Sequence, residues 1–203
     1  MALANYTELS TDLGKWAEDR GDVDSDLIAT SVRLAESHFN RELRCQQMLT
    51  STDLTPSSGA VTIPSDNVGI YSVIEKTSPR RVLQYRSKEY LESSFDTSVS
   101  GLACDYTIVG STLSTAPQAA NDIELTYYQE IPSLETNTTN WLMTKYPDLY
   151  MAAVQVEIYR YLKMDKDLEI SSIRLQAMID EINAANDSNT LAISERRLPY
   201  PVY

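Results

Sequence analysis

The stretch Pro147-Asp-Leu-Tyr-Met-Ala-Ala-Val-Gln-Val-Glu-Ile-Tyr-Arg-Tyr-Leu162 decides the fold, because its apolar residues occupy two helical faces at once. Proline suits the first turn of a helix, so we expect a helix from Pro147 to about Lys166. A surface helix needs only one apolar stripe. This helix is therefore predicted to be central in a bundle or also to contact another subunit. The first stripe consists of Leu149, Ala152, Val156 and Tyr159. The second stripe is the predicted subunit interface and consists of Met151, Val154, Ile158, Tyr161 and Leu162.

Helical spacing also occurs on both sides of this stretch. Residues from about Tyr6 to Arg44 predict two helices, with a break at Gly21 and with Thr7 and Ser25 as caps. A last helix is predicted from about Leu168 to Asn186. The positions that are predicted to face inward are Leu9, Leu13, Trp16, Ala17, Ile28, Val32, Ala35, Phe39, Leu43, Leu168, Leu175, Ile179 and Ile182.

Between Gln47 and Ile131 the apolar period changes from helical toward two, which is typical of strands. A short helix capped by Ser87 is predicted to divide the fourth strand from the fifth. Six short strands with tight turns indicate a small antiparallel sandwich or barrel. The predicted strands are Leu49–Leu54, Ala60–Ile63, Ile70–Lys76, Arg81–Tyr85, Tyr106–Val109 and Ile123–Glu130.

The predicted fold class is α+β: a helical bundle formed by the N- and C-terminal helices, an inserted small antiparallel β domain, and an extended C-terminal tail. The N-terminal bundle helices are assigned to residues 1–46 and the β domain to residues 47–131. The C-terminal bundle helices are assigned to residues 132–187 and the tail to residues 188–203.

Composition excludes several classes of protein. The chain has 203 residues and a net charge of −12, which opposes a protein that grips nucleic acid through a basic surface. No apolar run approaches the ~20 residues of a membrane helix, and the N-terminus lacks a secretory signal, so a soluble intracellular product is expected. Thirteen tyrosines against two phenylalanines suit protein interfaces, since tyrosine combines an apolar ring with a polar hydroxyl.

Motifs for catalysis and metal binding are mostly missing. The single histidine, His38, is predicted to be a partly exposed helical residue rather than part of a triad or a zinc site. The acidic run Asp22–Asp26 fails the calcium-loop pattern, and Cys45 and Cys104 are predicted to be buried free thiols. No catalytic, cofactor-binding or metal-binding residue is therefore assigned. A glycan-degrading enzyme that uses a pair of carboxylates stays open as an alternative, because 29 acidic residues allow many pairs.

The C-terminal end has the composition of a segment that becomes ordered on a partner. Its two prolines reduce the entropy lost on docking, while tyrosine and arginine are common interface anchors. The predicted docking tail consists of Arg196, Arg197, Leu198, Pro199, Tyr200, Pro201, Val202 and Tyr203.

The chain resembles the head-to-tail adaptor (connector) proteins of tailed bacteriophages, which bind beneath the portal ring, from about Asn5 to Asn186. The stretches that carry the resemblance are Ala4-Asn-Tyr-Thr-Glu-Leu9, Ala35-Glu-Ser-His-Phe-Asn-Arg-Glu-Leu-Arg44, Gly59-Ala-Val-Thr-Ile-Pro-Ser-Asp66 with Leu125-Thr-Tyr-Tyr-Gln-Glu-Ile-Pro-Ser-Leu134, and Thr139-Asn-Trp-Leu-Met-Thr-Lys-Tyr-Pro-Asp-Leu-Tyr150.

The resemblance implies a structural virion protein in the phage neck, assembled in the host cytoplasm. It would form a twelve-fold ring beneath the portal protein, with the helices lining the channel and the β part reaching outward. The tail would enter portal grooves, and the distal face would receive a tail nozzle or tail fibre protein. Double-stranded DNA would pass through without sequence-specific binding, and no membrane is involved. Another neck or tail-completion protein stays open as an alternative.

The resemblance implies no catalytic residues. Trp141, Pro147 and Asp148 match its last stretch and are expected to be structural. Trp141 would anchor the preceding loop in the core, Pro147 would begin the helix, and Asp148 would interact favourably with the helix dipole.

Overall fold

Helices form the two ends of the chain and strands its middle in the computed structural model, which describes residues 5–16, 23–96 and 99–195. The predicted mixed α+β class is confirmed. Seven α-helices lie in the described ranges: α1 Tyr6–Trp16, α2 Ser25–Glu42, α3 Lys88–Ser94, α4 Leu134–Asn137, α5 Trp141–Lys145, α6 Pro147–Tyr161 and α7 Asp165–Glu195.

Ten strands lie in the same ranges and in three sheets. They are β1 Leu49–Leu54, β2 Ala60–Thr62, β3 Asn67–Glu75, β4 Arg81–Val82, β5 Gln84–Tyr85, β6 Ser100–Gly101, β7 Asp105–Val109, β8 Thr112–Ala116, β9 Gln118–Ala119 and β10 Ile123–Gln129. The chain divides into two units, which we call the helical unit (the described residues up to 47 and from 131 onward) and the β unit (residues 48–130).

The core of the helical unit uses the positions that helical spacing predicted. The inward residues of α1 and α2 that the structure describes are all buried, and α7 contributes Leu175 and Ile179. Leu168 and Ile182 of α7 are half-buried. Pro147 begins α6 and Asp148 lies in its first turn, as predicted. The side chain of Trp16, and Ala17, lie outside what the structure describes.

The two N-terminal helices are capped by other residues than predicted. The Asn5 side chain accepts a hydrogen bond from the Glu8 N–H (2.9 Å), and Asp24 accepts one from the Leu27 N–H (2.8 Å). A capping side chain must come directly before the first helical residue. The predicted caps Thr7 and Ser25 already lie inside α1 and α2, so both assignments are wrong.

Helix α6 ends at Tyr161, about five residues before the predicted end. Lys163 adopts a left-handed backbone (φ 55°), and the N–H groups of Lys163 and Met164 donate to the carbonyls of Arg160 (3.3 Å) and Tyr159 (3.0 Å). This pair of bonds is a Schellman motif, which usually has glycine at the left-handed position. A lysine in that place explains why the sequence did not reveal the helix end.

Helix α7 is longer than predicted. It begins at Asp165 and continues to Glu195, whereas the sequence predicted an end near Asn186. The stretch 187–195 contains neither glycine nor proline, so nothing in it forces the helix to stop. The predicted extended tail over 188–203 is therefore helical through residue 195, and residues 196–203 lie outside the described residues.

In the β unit, the first sheet has the order β1-β10-β3-β4 and is antiparallel. The second has the order β2-β8-β7-β5, in which β5 pairs with β7 in parallel. Strands β6 and β9 form a small parallel pair. Both larger sheets contribute to one buried core, which consists of Ile63, Val73, Leu83, Ala103, Leu113, Ala119, Ile123, Leu125 and Tyr127.

Two differences from the predicted strands have clear causes. The predicted strand Arg81–Tyr85 is divided, because β4 pairs with the first sheet and β5 with the second, with the buried Leu83 between them. Strand β8 was not predicted. Its serine and threonines resemble a loop, although Leu113 and Thr115 alternate with more exposed residues, and Gly110 (φ 61°) allows the tight turn from β7.

Candidate docking surfaces

Helix α6 is central in the helical unit, where it packs against α1, α2, α5 and α7. Met151, Val154 and Ile158 are 9%, 0% and 4% exposed. These three residues are covered by their own chain and are unavailable for a contact between subunits, so that part of the predicted interface is corrected. Of the same set, Tyr161 is 65% exposed and Leu162 is half-buried, and their role at an interface stays a prediction.

The outward face of α7 carries two exposed isoleucines. Ile170 and Ile173 are 69% and 66% exposed, and their i, i+3 spacing places them on one side of the helix. Lys166, one turn before Ile170 on the same side of the helix, is exposed as well. We call these three residues the α7 face. Both isoleucines contribute nothing to the core.

A cleft of about 200 Å³ lies between α2, α6 and α7. Its apolar lining consists of Ala35, Ala153, Val156 and Leu175, and its polar lining of His38, Arg41, Glu157, Arg160, Ser172 and Gln176. We call it the helical cleft. His38 is half-buried here, which confirms the predicted partly exposed histidine.

The charges in the helical cleft are only partly compensated. Arg160 donates to both carboxylate oxygens of Glu157, at 2.8 and 2.7 Å. Arg41 forms only a long hydrogen bond to the Ser37 hydroxyl (3.4 Å), and no carboxylate of the described chain pairs with it. The cleft is therefore a locally basic surface in an acidic chain, and it suits an anionic side chain.

A buried polar network fixes the loop before α5. The Glu36 carboxylate accepts hydrogen bonds from the Leu134 N–H (2.7 Å) and the Tyr150 hydroxyl (3.4 Å). Asn140 donates to the Tyr150 oxygen and to the Pro132 carbonyl, both at 2.7 Å. Its own side-chain oxygen accepts from a backbone N–H at the start of α5. Buried polar groups that are fully paired in this way hold a loop in one conformation.

This network corrects the role that was predicted for Trp141. The tryptophan begins α5 but is only half-buried, whereas Leu142 and Met143, the next two residues, are completely buried. These two side chains and Asn140 anchor the loop. Helical spacing gave no sign of it, because the network depends on Glu36, which is more than 90 residues away in the sequence.

Burial raises the pKa of the Glu36 carboxyl above its ordinary value. The folded protein therefore binds this proton more tightly than the unfolded chain does. The contribution of Glu36 to stability is greatest below the ordinary glutamate pKa, and it is lost as the pH rises through the folded pKa. We expect Glu36→Gln, which is neutral at every pH, to raise the melting temperature most near neutral pH, with the difference from wild type shrinking on acidification.

Thermal melts of both proteins between pH 4 and pH 8 would measure this effect, with Glu42→Gln, at an exposed position of the same helix, as the matched control. A melting difference between wild type and Glu36→Gln that stays constant over this range would contradict the prediction.

The β unit carries an exposed surface of arginines and tyrosines. Tyr85 packs edge-to-face on Tyr106, with ring centroids 5.7 Å apart, and the Arg86 guanidinium lies 5.2 Å from the centre of the Tyr90 ring. Tyr85 and Tyr90 are both exposed. We call Arg81, Tyr85, Arg86, Tyr90 and Tyr106 the Arg–Tyr surface. Arginine and tyrosine are enriched in the residues that dominate protein–protein binding. The high tyrosine count was the sequence signal for it.

One cysteine prediction is wrong. Cys45 is buried as expected, but Cys104 is exposed, and its sulfur lies 3.2 Å from the Arg81 guanidinium. Cys104 precedes β7 by one residue, so its side chain lies at the surface beside β4 rather than in the core.

None of the described residues form a cluster of three or more potential metal ligands. A second cleft, of about 560 Å³ in the β unit, contains no charged side chain in its lining, so it lacks the carboxylate pair that glycan hydrolysis requires. Its lining residues are Thr62, Ile63, Pro64, Ser65, Asn67, Ile70, Ile108, Gly110 and Ser111. Within the described ranges, no helix combines the length and the apolar character that crossing a membrane requires.

A family model described as SU10 adaptor protein matches residues 4–197, which is nearly the whole chain. The chain belongs to this family. The membership confirms the resemblance to phage head-to-tail adaptors, and it implies a virion location and contacts with portal and tail components. A search of curated proteins gave no match. The family is one of structural adaptors, and in this SU10 adaptor the match includes Arg196 and Arg197 of the predicted docking tail.

Proposed function

We propose that this SU10 adaptor forms a twelve-fold ring between the portal and the tail of a phage. The match to the adaptor family over residues 4–197 is the observation that carries the proposal. In the ring, the helical bundle lines the channel through which the genome is ejected. Assembly takes place in the host cytoplasm.

The charge of the chain supports a DNA conduit. Each copy has a net charge of −12, so a ring of many copies is strongly negative as a whole, and a channel that shares this charge repels the DNA phosphates. DNA must slide during ejection, and tight phosphate binding would oppose this movement. The channel therefore passes double-stranded DNA without reading its sequence.

Three parts of the chain provide the contacts with the portal, with the neighbouring subunit and with a tail protein. The tail from Arg196 to Tyr203, which follows the end of α7, docks on the portal. Tyr161 and Leu162, at the end of α6, lie at the contact between subunits. The Arg–Tyr surface of the β unit provides the docking platform for a tail nozzle or tail fibre protein, since its composition is that of a protein interface.

Mixing the purified adaptor with the portal of its own phage tests this function. We expect negative-stain class averages in which a second ring of twelve copies is stacked on the portal. The portal of an unrelated phage is the control and should remain bare. An adaptor that leaves its own portal bare would contradict the proposal, and a stacked ring of another symmetry would indicate a different neck or tail-completion protein.

A further inference from the structure

We propose that two copies of the free adaptor pair through the outward side of α7, with the two helices antiparallel. Arg174 of each copy then binds Glu181 of the other. This inference goes beyond the proposed ring, because a two-fold contact uses each surface once and therefore joins two copies only. It describes the adaptor before it meets the portal.

The outward side of α7 is a continuous line of exposed residues. Leu175 and Ile179 are buried and mark the inward side of the helix. Ala177 lies two positions from each of them, about 200° around the helix axis, so it faces away from the core. All residues from 166 to 184 that lie within about 60° of the Ala177 direction are exposed. We call them the α7 stripe, which consists of the α7 face with Arg174, Ala177, Asp180, Glu181 and Ala184.

The two halves of the α7 stripe are opposite in charge. The first half contains Lys166 and Arg174, and the second half contains Asp180 and Glu181. Asp180 accepts a hydrogen bond from the Gln176 side chain (3.0 Å). Among the described residues, no salt bridge involves Lys166, Arg174 or Glu181. A second copy in the antiparallel direction places the basic half of one stripe on the acidic half of the other, which favours this partner and this direction.

The two halves also differ in the size of their apolar side chains. Ile170 and Ile173, which are 69% and 66% exposed, lie in the first half. The apolar residues of the second half are alanines, Ala177 and Ala184. Antiparallel pairing therefore places large side chains of one copy against small ones of the other, and the small side chains allow the two helices to approach closely.

The spacing of Arg174 and Glu181 allows both ion pairs to form at once. The two residues are seven positions apart, so they lie on the same flank of the α7 stripe, about 20° apart around the axis. A two-fold axis midway between them brings Arg174 of one copy level with Glu181 of the other, and the same pair forms a second time. The nearest other acidic residues of the first half, Asp167 and Glu169, lie about 80° from the Ala177 direction, outside the stripe.

Sedimentation velocity of the full-length adaptor, without portal, tests this contact. We expect a mass twice that of one chain at about 100 μM, which falls toward the monomer on dilution. Arg174→Glu and Glu181→Arg each place like charges opposite each other at both pairs, so each should weaken dimerisation at least tenfold. The double variant that carries both changes restores both pairs with the charges exchanged, and it should dimerise as wild type does.

Lys145→Glu, a charge reversal at an exposed position of α5, is the matched control and should leave the dimer intact. Circular dichroism and thermal melting establish that each variant is folded. A monomeric wild-type adaptor at this concentration, an unchanged dimer in either single variant, or no recovery in the folded double variant would overturn the contact. Ring formation on the portal is measured separately, and its failure would overturn the proposed ring while leaving the dimer intact.

Discussion

Removing residues 196–203 is expected to abolish stable binding of the adaptor to its portal. The segment combines Arg196 and Arg197 with Tyr200 and Tyr203, and interface arginines and tyrosines often contribute about 2 kcal/mol each when they are anchors. The loss of two such anchors, about 4 kcal/mol, corresponds to a roughly thousandfold weaker affinity. Sedimentation or surface-based binding of the adaptor to immobilised portal would measure it.

The truncated adaptor should remain folded, because the core residues that the structure describes in both units are all retained. Circular dichroism and an unchanged melting temperature would establish this. Val202→Ala, which removes little side-chain volume, is the matched control and should bind the portal nearly as wild type does. Portal binding by the truncated protein with wild-type affinity would refute the role of the tail.

The largest effect on stability is expected from Phe39→Ala in α2. Phe39 is completely buried and packs edge-to-face on Tyr150, with ring centroids 5.1 Å apart. Truncating a buried phenylalanine typically costs about 3–5 kcal/mol, from lost burial and from the cavity that remains. Whole domains are stable by only about 5–15 kcal/mol, so this change should bring the helical unit close to unfolding.

Urea denaturation followed by circular dichroism would measure the free energy of unfolding. Leu34→Ala is the matched control, because Leu34 lies on the same helix but is half exposed, and it should cost well under 1 kcal/mol. The Tyr150 ring also positions the hydroxyl that binds Glu36 and Asn140, so Phe39→Ala should loosen the loop before α5 as well. Equal losses from both variants would contradict this assignment of the core.

Apolar periodicity predicted which side of a helix or strand is buried. The helical stripes identified the buried residues of α1, α2 and α7, and Pro147 identified the start of α6. Periodicity could not predict the features that depend on backbone conformation. Lys163 adopts a left-handed conformation that favours glycine. Around Leu83, the chain pairs first with one sheet and then with the other within five residues.

The candidate surfaces were less predictable than the core. A second apolar stripe on α6 predicts either a central helix or a contact with another subunit, and the sequence does not distinguish the two; Val154 is buried by its own chain. Exposed residues such as Ile170 and Ile173 are of the same types as the residues of the core. Only the packing of the folded chain distinguishes an exposed apolar residue from a buried one. The helical cleft was equally hidden, because Arg41 and Arg160 are far apart in the sequence and meet only through the folding of α2 against α6.

The length of α7 has a mechanical consequence. Asn183 and Asn186 bind the backbone at the end of α2, through the N–H groups of Arg44 (3.1 Å) and Gln46 (2.9 Å), and the helix then continues to Glu195. At 1.5 Å per residue, this continuation is about 13 Å long. A helical spacer has far fewer conformations than a flexible tether. The backbone of Glu195 is thus held at a fixed distance from the contact with the residues after α2, so in the proposed ring the ends of all α7 helices would lie at the same height.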